Sequence, residues 1–368
     1  MKFYTHKLLS LALLSTIVIG FQINCMDKTK YGAPIGSHEN KHLSENFNES
    51  PCLWASPKGK VVTTVLKELS IISATFNRTG KLLLIGSTDK KIRVWDVKAK
   101  KELSVVNYKG RILSATFSHD DTMILTGSDD YTAQLWDSTD VKHLKLIKTI
   151  GQDEEKHTDW VYRVAFSPDD SILLTGACAC DDGAVRLWDV KTGKLLLVIK
   201  EEQKNSDIYD FIKSAVFGPD GTTILTKLAN GIVKLRDAST GNELKSVEGN
   251  ESDNNCVVLN NDSTLIFSSF GGNKIGRVLN FTTDEQLGVE ISLTNMSSIC
   301  SIALSTDGKS VLIVSREGKA HLLETASGEQ LMEFHVHSDD VTFAAFSSNN
   351  RTVLIGSKNS LYIYTLSL

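Results

Sequence analysis

In this chain of 368 residues, the residue types best suited to chemistry lie near the middle. They fall in HTDWVYRVAFSPDD, which starts at His157, and in TGACACDDGAVRLWDVKTGK, Thr175 to Lys194. His157, Asp182 and a neighbouring Ser or Thr are the types that make a hydrolase triad: a hydroxyl attacks, an imidazole carries its proton and a carboxylate orients the imidazole. That chemistry also needs an exposed nucleophile and an oxyanion site, and the chain has no nucleophile-elbow sequence. The competing reading is structural, because a carboxylate buried in a fold is costly unless it is paired.

Cys178 and Cys180 stand two residues apart. A disulfide at that separation is strained, and two thiols alone do not make a metal site, so the plain reading is an enlarged loop. If cleavage removes Cys25, then Cys52, Cys256 and Cys300 complete the set, without the spacing of a disulfide framework. No phosphate loop, metal-ligand spacing or paired catalytic carboxylates occur. The expectation is a protein that is not an enzyme and carries no cofactor or metal.

The elements that position these residues repeat. From Ile71 onward each unit opens with an alternating strand ending in Phe or Leu: Phe76, Phe117, Phe166, Phe217, Leu259, Leu304 and Phe346. Turn clusters follow (NRTG, SHDD, SPDD, GPDG, NNDS, STDG, SSNN), then an apolar strand, a second turn and a third strand. The third strands end at Trp95, Trp136, Trp188, Arg236, Leu279, Leu323 and Tyr364, which lie 19, 19, 22, 19, 20, 19 and 18 residues beyond the Phe or Leu marks. A fourth strand follows six of the seven units. The last unit ends without one, and VVTTVLKEL, Val61 to Leu69, has the strand character to supply it. The rhythm predicts seven four-stranded sheets in a ring, with the N-terminal strand completing the last and leaving no open seam.

VRLWDVKTG, IRVWDVKAK and AQLWDST resemble WD40-repeat proteins, and the resemblance covers about Val61 to Leu368. It is strongest in the first three units; the fourth has Arg236 for Trp, and the fifth to seventh keep only the strand and turn rhythm. The resemblance implies an all-β, seven-bladed β-propeller. It also gives Asp89, Asp130 and Asp182, each six residues before its Trp, and His157 a structural role. In the family such a His, a Ser or Thr on the second strand, the Asp and the Trp form one hydrogen-bonded chain inside a blade. Trp95, Trp136 and Trp188 are then anchors of the scaffold. The third unit alone has His, Asp and Trp together, although His337 stands in the corresponding place of the seventh.

WD40 proteins are generally platforms for protein or peptide partners, bound on the face made by the loops before the first strand and between the second and third. Carried over by spacing, the exposed positions on that face are Arg111, Leu113 and Asp129 in the second unit. They are Trp160, Tyr162 and Asp181 in the third, and Phe211, Lys213 and Ala229 in the fourth. Aromatics beside an Arg are the side chains that dominate interface energetics.

Composition agrees with a folded domain of modest charge: 41% hydrophobic, 23% charged, formal net charge −4. Nothing in that balance favours nucleic acid. Lys2, His6 and Lys7 precede LLSLALLSTIVIGF, fourteen uncharged residues from Leu8 to Phe21. That run is short of the roughly 20 a spanning helix needs and has the parts of a secretory signal. The expected organisation is a signal peptide over 1–25, a flexible linker over 26–60 and the propeller over 61–368. The expected protein is a monomeric, secreted or periplasmic interaction scaffold. Membrane association would follow only if the N-terminal segment is retained or lipidated. The alternative is a propeller enzyme or redox protein with a cofactor or metal in its central channel.

Overall fold

The computed structural model describes residues 64–67, 71–152, 156–177, 182–201, 212–228, 232–247, 257–259, 264–269, 275–280, 291–292, 299–315, 318–336, 341–357 and 360–366. These residues form an all-β propeller, with strands and turns and no helix among them.

The first strand, β1 (Thr64–Lys67), is followed by seven groups in chain order. Blade 1 comprises β2 (Ile71–Phe76), β3 (Leu82–Ser87), β4 (Lys91–Asp96) and β5 (Lys101–Asn107). Blade 2 comprises β6 (Ile112–Phe117), β7 (Met123–Ser128), β8 (Ala133–Asp137) and β9 (Lys145–Ile150). Blade 3 comprises β10 (Val161–Phe166), β11 (Ile172–Ala177), β12 (Val185–Asp189) and β13 (Leu195–Ile199). Blade 4 comprises β14 (Ile212–Phe217), β15 (Thr223–Leu228), β16 (Val233–Asp237) and β17 (Glu243–Val247). A fifth sheet comprises β18 (Val257–Leu259), β19 (Thr264–Ser269), β20 (Ile275–Asn280) and β21 (Ile291–Ser292), and is described in its backbone pairing alone. The sixth comprises β22 (Ile299–Leu304), β23 (Ser310–Ser315), β24 (Lys319–Glu324) and β25 (Gln330–His335). The last comprises β26 (Val341–Phe346), β27 (Thr352–Ser357) and β28 (Ser360–Thr365). Within each group, strands pair antiparallel in sequence order.

β1 completes the last sheet. It pairs antiparallel with β28, Thr64 opposite Ile363 and Lys67 opposite Ser360, so the N-terminal strand covers what would be an open edge.

The first strands lie innermost and pack side by side: β2 against β6, β6 against β10, β22 against β26 and β26 against β2. Cores therefore form between blades rather than within one. Leu84, Ile92 and Val94 of blade 1 bury against Ile112, Phe117, Ile124 and Trp136 of blade 2. Leu125, Leu135 and Ile150 of blade 2 bury against Val161, Phe166, Leu173 and Trp188 of blade 3. Phe343, Leu354 and Leu361 of the last sheet bury against Ile71, Leu83 and Ile85 of blade 1. Because both faces of an inner strand are covered, strands such as β23 read as near-continuous apolar runs instead of alternating ones.

Among the described residues, the turns after the first strands also stitch neighbours together. Four residues past the Phe or Leu mark, the backbone is left-handed at Gly80, Asp121, Asp170, Gly221, Gly308 and Asn350. Glycine meets that demand by lacking a Cβ, and Asp and Asn tolerate it. Where the residue is Asp or Asn, its side chain reaches the preceding blade. Asp121 accepts from the Arg78 amide at 2.9 Å and Asn77 Nδ2 at 2.9 Å; Asp170 accepts from the His119 amide at 2.9 Å; Asn350 accepts from the Thr306 amide at 2.8 Å.

Candidate functional site

Blade 3 contains the hydrogen-bonded chain in full. Trp188 Nε1 donates to Thr175 Oγ1 at 2.8 Å, Thr175 Oγ1 meets His157 Nε2 at 2.7 Å, and His157 Nδ1 meets Asp182 Oδ2 at 3.0 Å. The single hydroxyl proton of Thr175 is free for His157, since the indole already donates to its oxygen. In the tautomer with Nε2 as acceptor, Nδ1–H donates to Asp182; Arg186 Nη1 also lies 2.7 Å from Nδ1, a contact that favours the opposite tautomer. Thr175 is fully buried and His157 is 1% exposed, so the set is shielded from solvent.

Sequence reasoning missed the cation in this set. Arg186, on β12 four residues after Asp182, donates to Asp182 Oδ1 at 2.9 Å and Oδ2 at 2.7 Å. Burial would raise the Asp182 pKa, but hydrogen bonds from His157, Arg186 and the Thr158 amide hold it at about 2. Burial, with the Arg186 charge, pushes His157 below its ordinary value and so keeps the imidazole neutral.

The other blades vary this wiring. Trp136 Nε1 donates to Thr126 Oγ1 at 3.2 Å in blade 2, where Tyr108 stands nine residues before Phe117, in the place of His157. The Tyr108 ring centroid lies 6.2 Å from that of Trp136, as His157 lies 6.3 Å from Trp188. Burial pushes the Tyr108 hydroxyl well above its ordinary pKa. Asp130 has no histidine partner there and instead accepts from the Thr132 amide at 3.1 Å and hydroxyl at 2.7 Å. In blade 4 Arg236 replaces the Trp in function as well as place: its Nε donates to Thr226 Oγ1 at 3.2 Å, and Glu201 pairs with its guanidinium.

Blade 1 departs from the expected chain. Ile85 occupies the strand position of Thr126 and Thr175, opposite Arg93. The buried Trp95 Nε1 therefore has no hydrogen-bond partner among the described residues, and Asp89 pairs with Ser87 and Arg93 instead.

The Asp of each of the three WD pairs, and the one that follows Arg236, does a separate job. Asp96, Asp137, Asp189 and Asp237 accept amide hydrogen bonds from Ala99 at 2.7 Å, Thr139 at 2.9 Å, Thr192 at 2.6 Å and Ser239 at 3.0 Å. They close the turn into the outer strand.

The residues expected on the loop face divide. Arg111, Asp129, Trp160 and Tyr162 come together across blades 2 and 3. The Arg111 guanidinium carbon lies 5.1 Å from the Trp160 ring centroid, and the Trp160 and Tyr162 centroids are 5.8 Å apart. Asp129 holds the arginine in place, accepting from its amide and its Nε, each at 2.6 Å. Gly110 makes this approach possible, because a Cβ there would stand 2.5 Å from Asp129 Oδ1. Tyr162 sits in a β-bulge between Val161 and Arg163, which turns one extra residue of β10 out of the regular ladder. All four side chains are partly buried rather than fully exposed.

Leu113 does not belong with them. It occupies the equivalent bulge of β6 but is 4% exposed: an aliphatic side chain with no polar tip gains by leaving water, whereas Tyr162 keeps a hydroxyl that favours it. Asp181, Phe211 and Ala229 lie outside the described residues, as do His337, Cys25, Cys52, Cys178, Cys180 and Cys256, and Lys213 is placed in β14 without a described side chain. Cys300 is a buried thiol that donates to the Val314 carbonyl at 3.4 Å. Among the described residues no group of three or more His, Cys, Asp or Glu is placed to hold a metal ion, and no helix is long and apolar enough to cross a membrane.

The family model described as "WD domain, G-beta repeat" matches residues 53–96, 101–137, 145–189 and 328–365. The chain carries WD40 repeats. It is 27% identical over 194 residues to the methylosome protein WDR77 of Xenopus laevis, covering 52% of this chain and 56% of that protein. It is 28% identical over 121 residues to WD repeat and SOCS box-containing protein 1 of Danio rerio, covering 32% of this chain and 26% of that protein. Cilia- and flagella-associated protein 52 of Chlamydomonas reinhardtii is 24% identical over 143 residues, with 38% and 21% covered. The WD40 chain thus matches only part of the length of each of these relatives.

Proposed function

We propose that this WD40 chain is a non-catalytic interaction scaffold that binds a protein or peptide through the loop face of blades 2 and 3. The observation that carries this reading is the arginine of one blade set over the tryptophan of the next, with a tyrosine beside it and a carboxylate fixing the arginine. An aromatic pair beside a guanidinium held in place by Asp129 offers a partner a flat, largely apolar surface with a polar edge. In this reading the sheets form one closed ring of seven blades over residues 61–368. Residues 1–25 are an export signal and 26–60 a linker, which places the scaffold outside the cytoplasm. Support for export is the uncharged run from Leu8 to Phe21 behind Lys2 and Lys7.

The test is capture of partners from a native extract with the wild type, Trp160→Ala and Tyr162→Ala, beside thermal unfolding of each. Truncating a binding hot spot costs about 2 kcal/mol or more of affinity while leaving folding nearly unchanged. An unchanged partner set with a large loss of stability would make the cluster packing between blades. N-terminal sequencing of the protein recovered outside the cytoplasm tests the export reading separately.

A further inference from the structure

Each blade ends in an outer strand whose free side is a potential template for another chain, and proteins commonly guard such edges with charge, lysine above all. The outer strands here follow that practice with one exception. β5 carries Lys101 and Glu102, β9 carries Lys145 and Lys148, β17 carries Glu243 and Lys245, β25 carries Glu333, and β1 carries Lys67. β13 reads LLLVI and has no charged or polar residue, alone among the described outer strands of more than two residues. It is the last strand in the order of its sheet. Leu196 is 54% exposed and Val198 41%, while Leu197 and Ile199 pack toward blade 4. Leu196 is the extra residue of a bulge opposite Leu187 and Trp188, after which Leu197 to Ile199 continue in regular register.

We propose that the outer edge of β13 is a docking site for an extended apolar peptide strand flanked by acidic residues. Charge selects this occupant. Lys191 and Lys194 precede the strand and Lys200 follows it, with Lys200 57% exposed and 4.0 Å from the buried Asp182. The nearest following acid, Glu201, is engaged with Lys234 and Arg236 of blade 4. An antiparallel pairing of β13 with a second copy would set Lys194 opposite Lys200 at both ends, which like charges oppose. The chain's own apolar N-terminal run is introduced by Lys2 and Lys7 and meets the same repulsion. A strand with acidic ends satisfies the lysines, covers Leu196 and Val198 with alternate side chains and pairs its backbone along the edge.

The experiment uses the full chain and two short fluorescent peptides with one core of alternating Val and Thr, one ended by Asp and the other by Lys. Binding is read by anisotropy, and backbone pairing by amide hydrogen exchange over Leu195 to Ile199. The expected result is saturable binding of the Asp-ended peptide with slowed exchange in β13. Leu196→Lys and Val198→Lys each weaken it about tenfold by restoring a guarded edge. Lys194→Glu with Lys200→Gln shifts the preference toward the Lys-ended peptide. Trp160→Ala leaves this binding unchanged, which separates it from the loop-face reading. No saturable binding, equal binding of both peptides, loss in Trp160→Ala, or a dimer abolished by Val198→Lys would each overturn the proposal.

Discussion

Blades 1 and 3 write nearly the same words, KIRVWDV and AVRLWDV, yet their interiors are wired differently. In both, an aspartate six residues before the tryptophan pairs with an arginine four residues after that aspartate. In both, the Asp that follows the Trp closes the next turn. Only in blade 3 does the indole N–H reach the aspartate, through Thr175 and His157. In blade 1 the chain is cut at its second link, because Ile85 offers no acceptor, and the Trp95 Nε1 is buried with no hydrogen-bond partner among the described residues. The signature dipeptide therefore specifies packing and a turn. The polar network depends on one residue on the neighbouring strand.

The largest effect should come from breaking blade 3 at its ends. Trp188→Ala is expected to cost about 3–5 kcal/mol by opening a cavity between blades 2 and 3. Asp182→Asn is expected to cost a similar amount, about 3–5 kcal/mol, by leaving the buried Arg186 without its counter-charge. Because the residues share one network, the double variant should lose less than the sum in denaturant unfolding; strict additivity would show the chain of hydrogen bonds to be energetically unconnected.

Cutting blade 3 where blade 1 is already cut is the next test. Thr175→Val preserves shape but leaves the Trp188 N–H and His157 Nε2 without their partner, for an expected loss of about 1–3 kcal/mol. A loss within error would mean that the threonine is not the linking element.

The titratable groups sharpen the contrast further. His157 is held neutral below its ordinary value of 6.5, so the unfolded chain takes up its proton first; its contribution is complete above pH 6.5 and declines as pH falls below it. Asp182, at about 2 against 3.8, contributes above pH 3.8 and loses that contribution as pH falls toward 2. Thermal unfolding across pH 8 to 5 should therefore show a decline that His157→Gln flattens, and a slope unaltered by that substitution would assign the decline to other groups.

The smallest expected effect is the transplant in the other direction. Ile85→Thr gives Trp95 an acceptor, and a double-mutant cycle with Trp95→Phe should reveal a coupling of about 1 kcal/mol or less. Zero coupling would show that the indole does not turn to the new hydroxyl.

The sequence by itself determined the repeat. Turn clusters, alternating first strands and near-constant spacing gave the strand order, and the missing fourth strand of the last unit pointed to the N-terminal one, which does pair with β28. These features are local, or periodic enough to be counted. Tertiary structure alone decided the contacts between blades. Tyr108 in the histidine's place, Arg236 doing the work of an indole, and Asp121, Asp170 and Asn350 reaching the preceding blade rest on side chains brought together by ring geometry. Spacing placed Leu113 and Tyr162 alike at a bulge, and only burial separated them. The physical reason is that a period fixes where a residue sits along its strand, while its partners come from the next blade, whose sequence the period does not constrain.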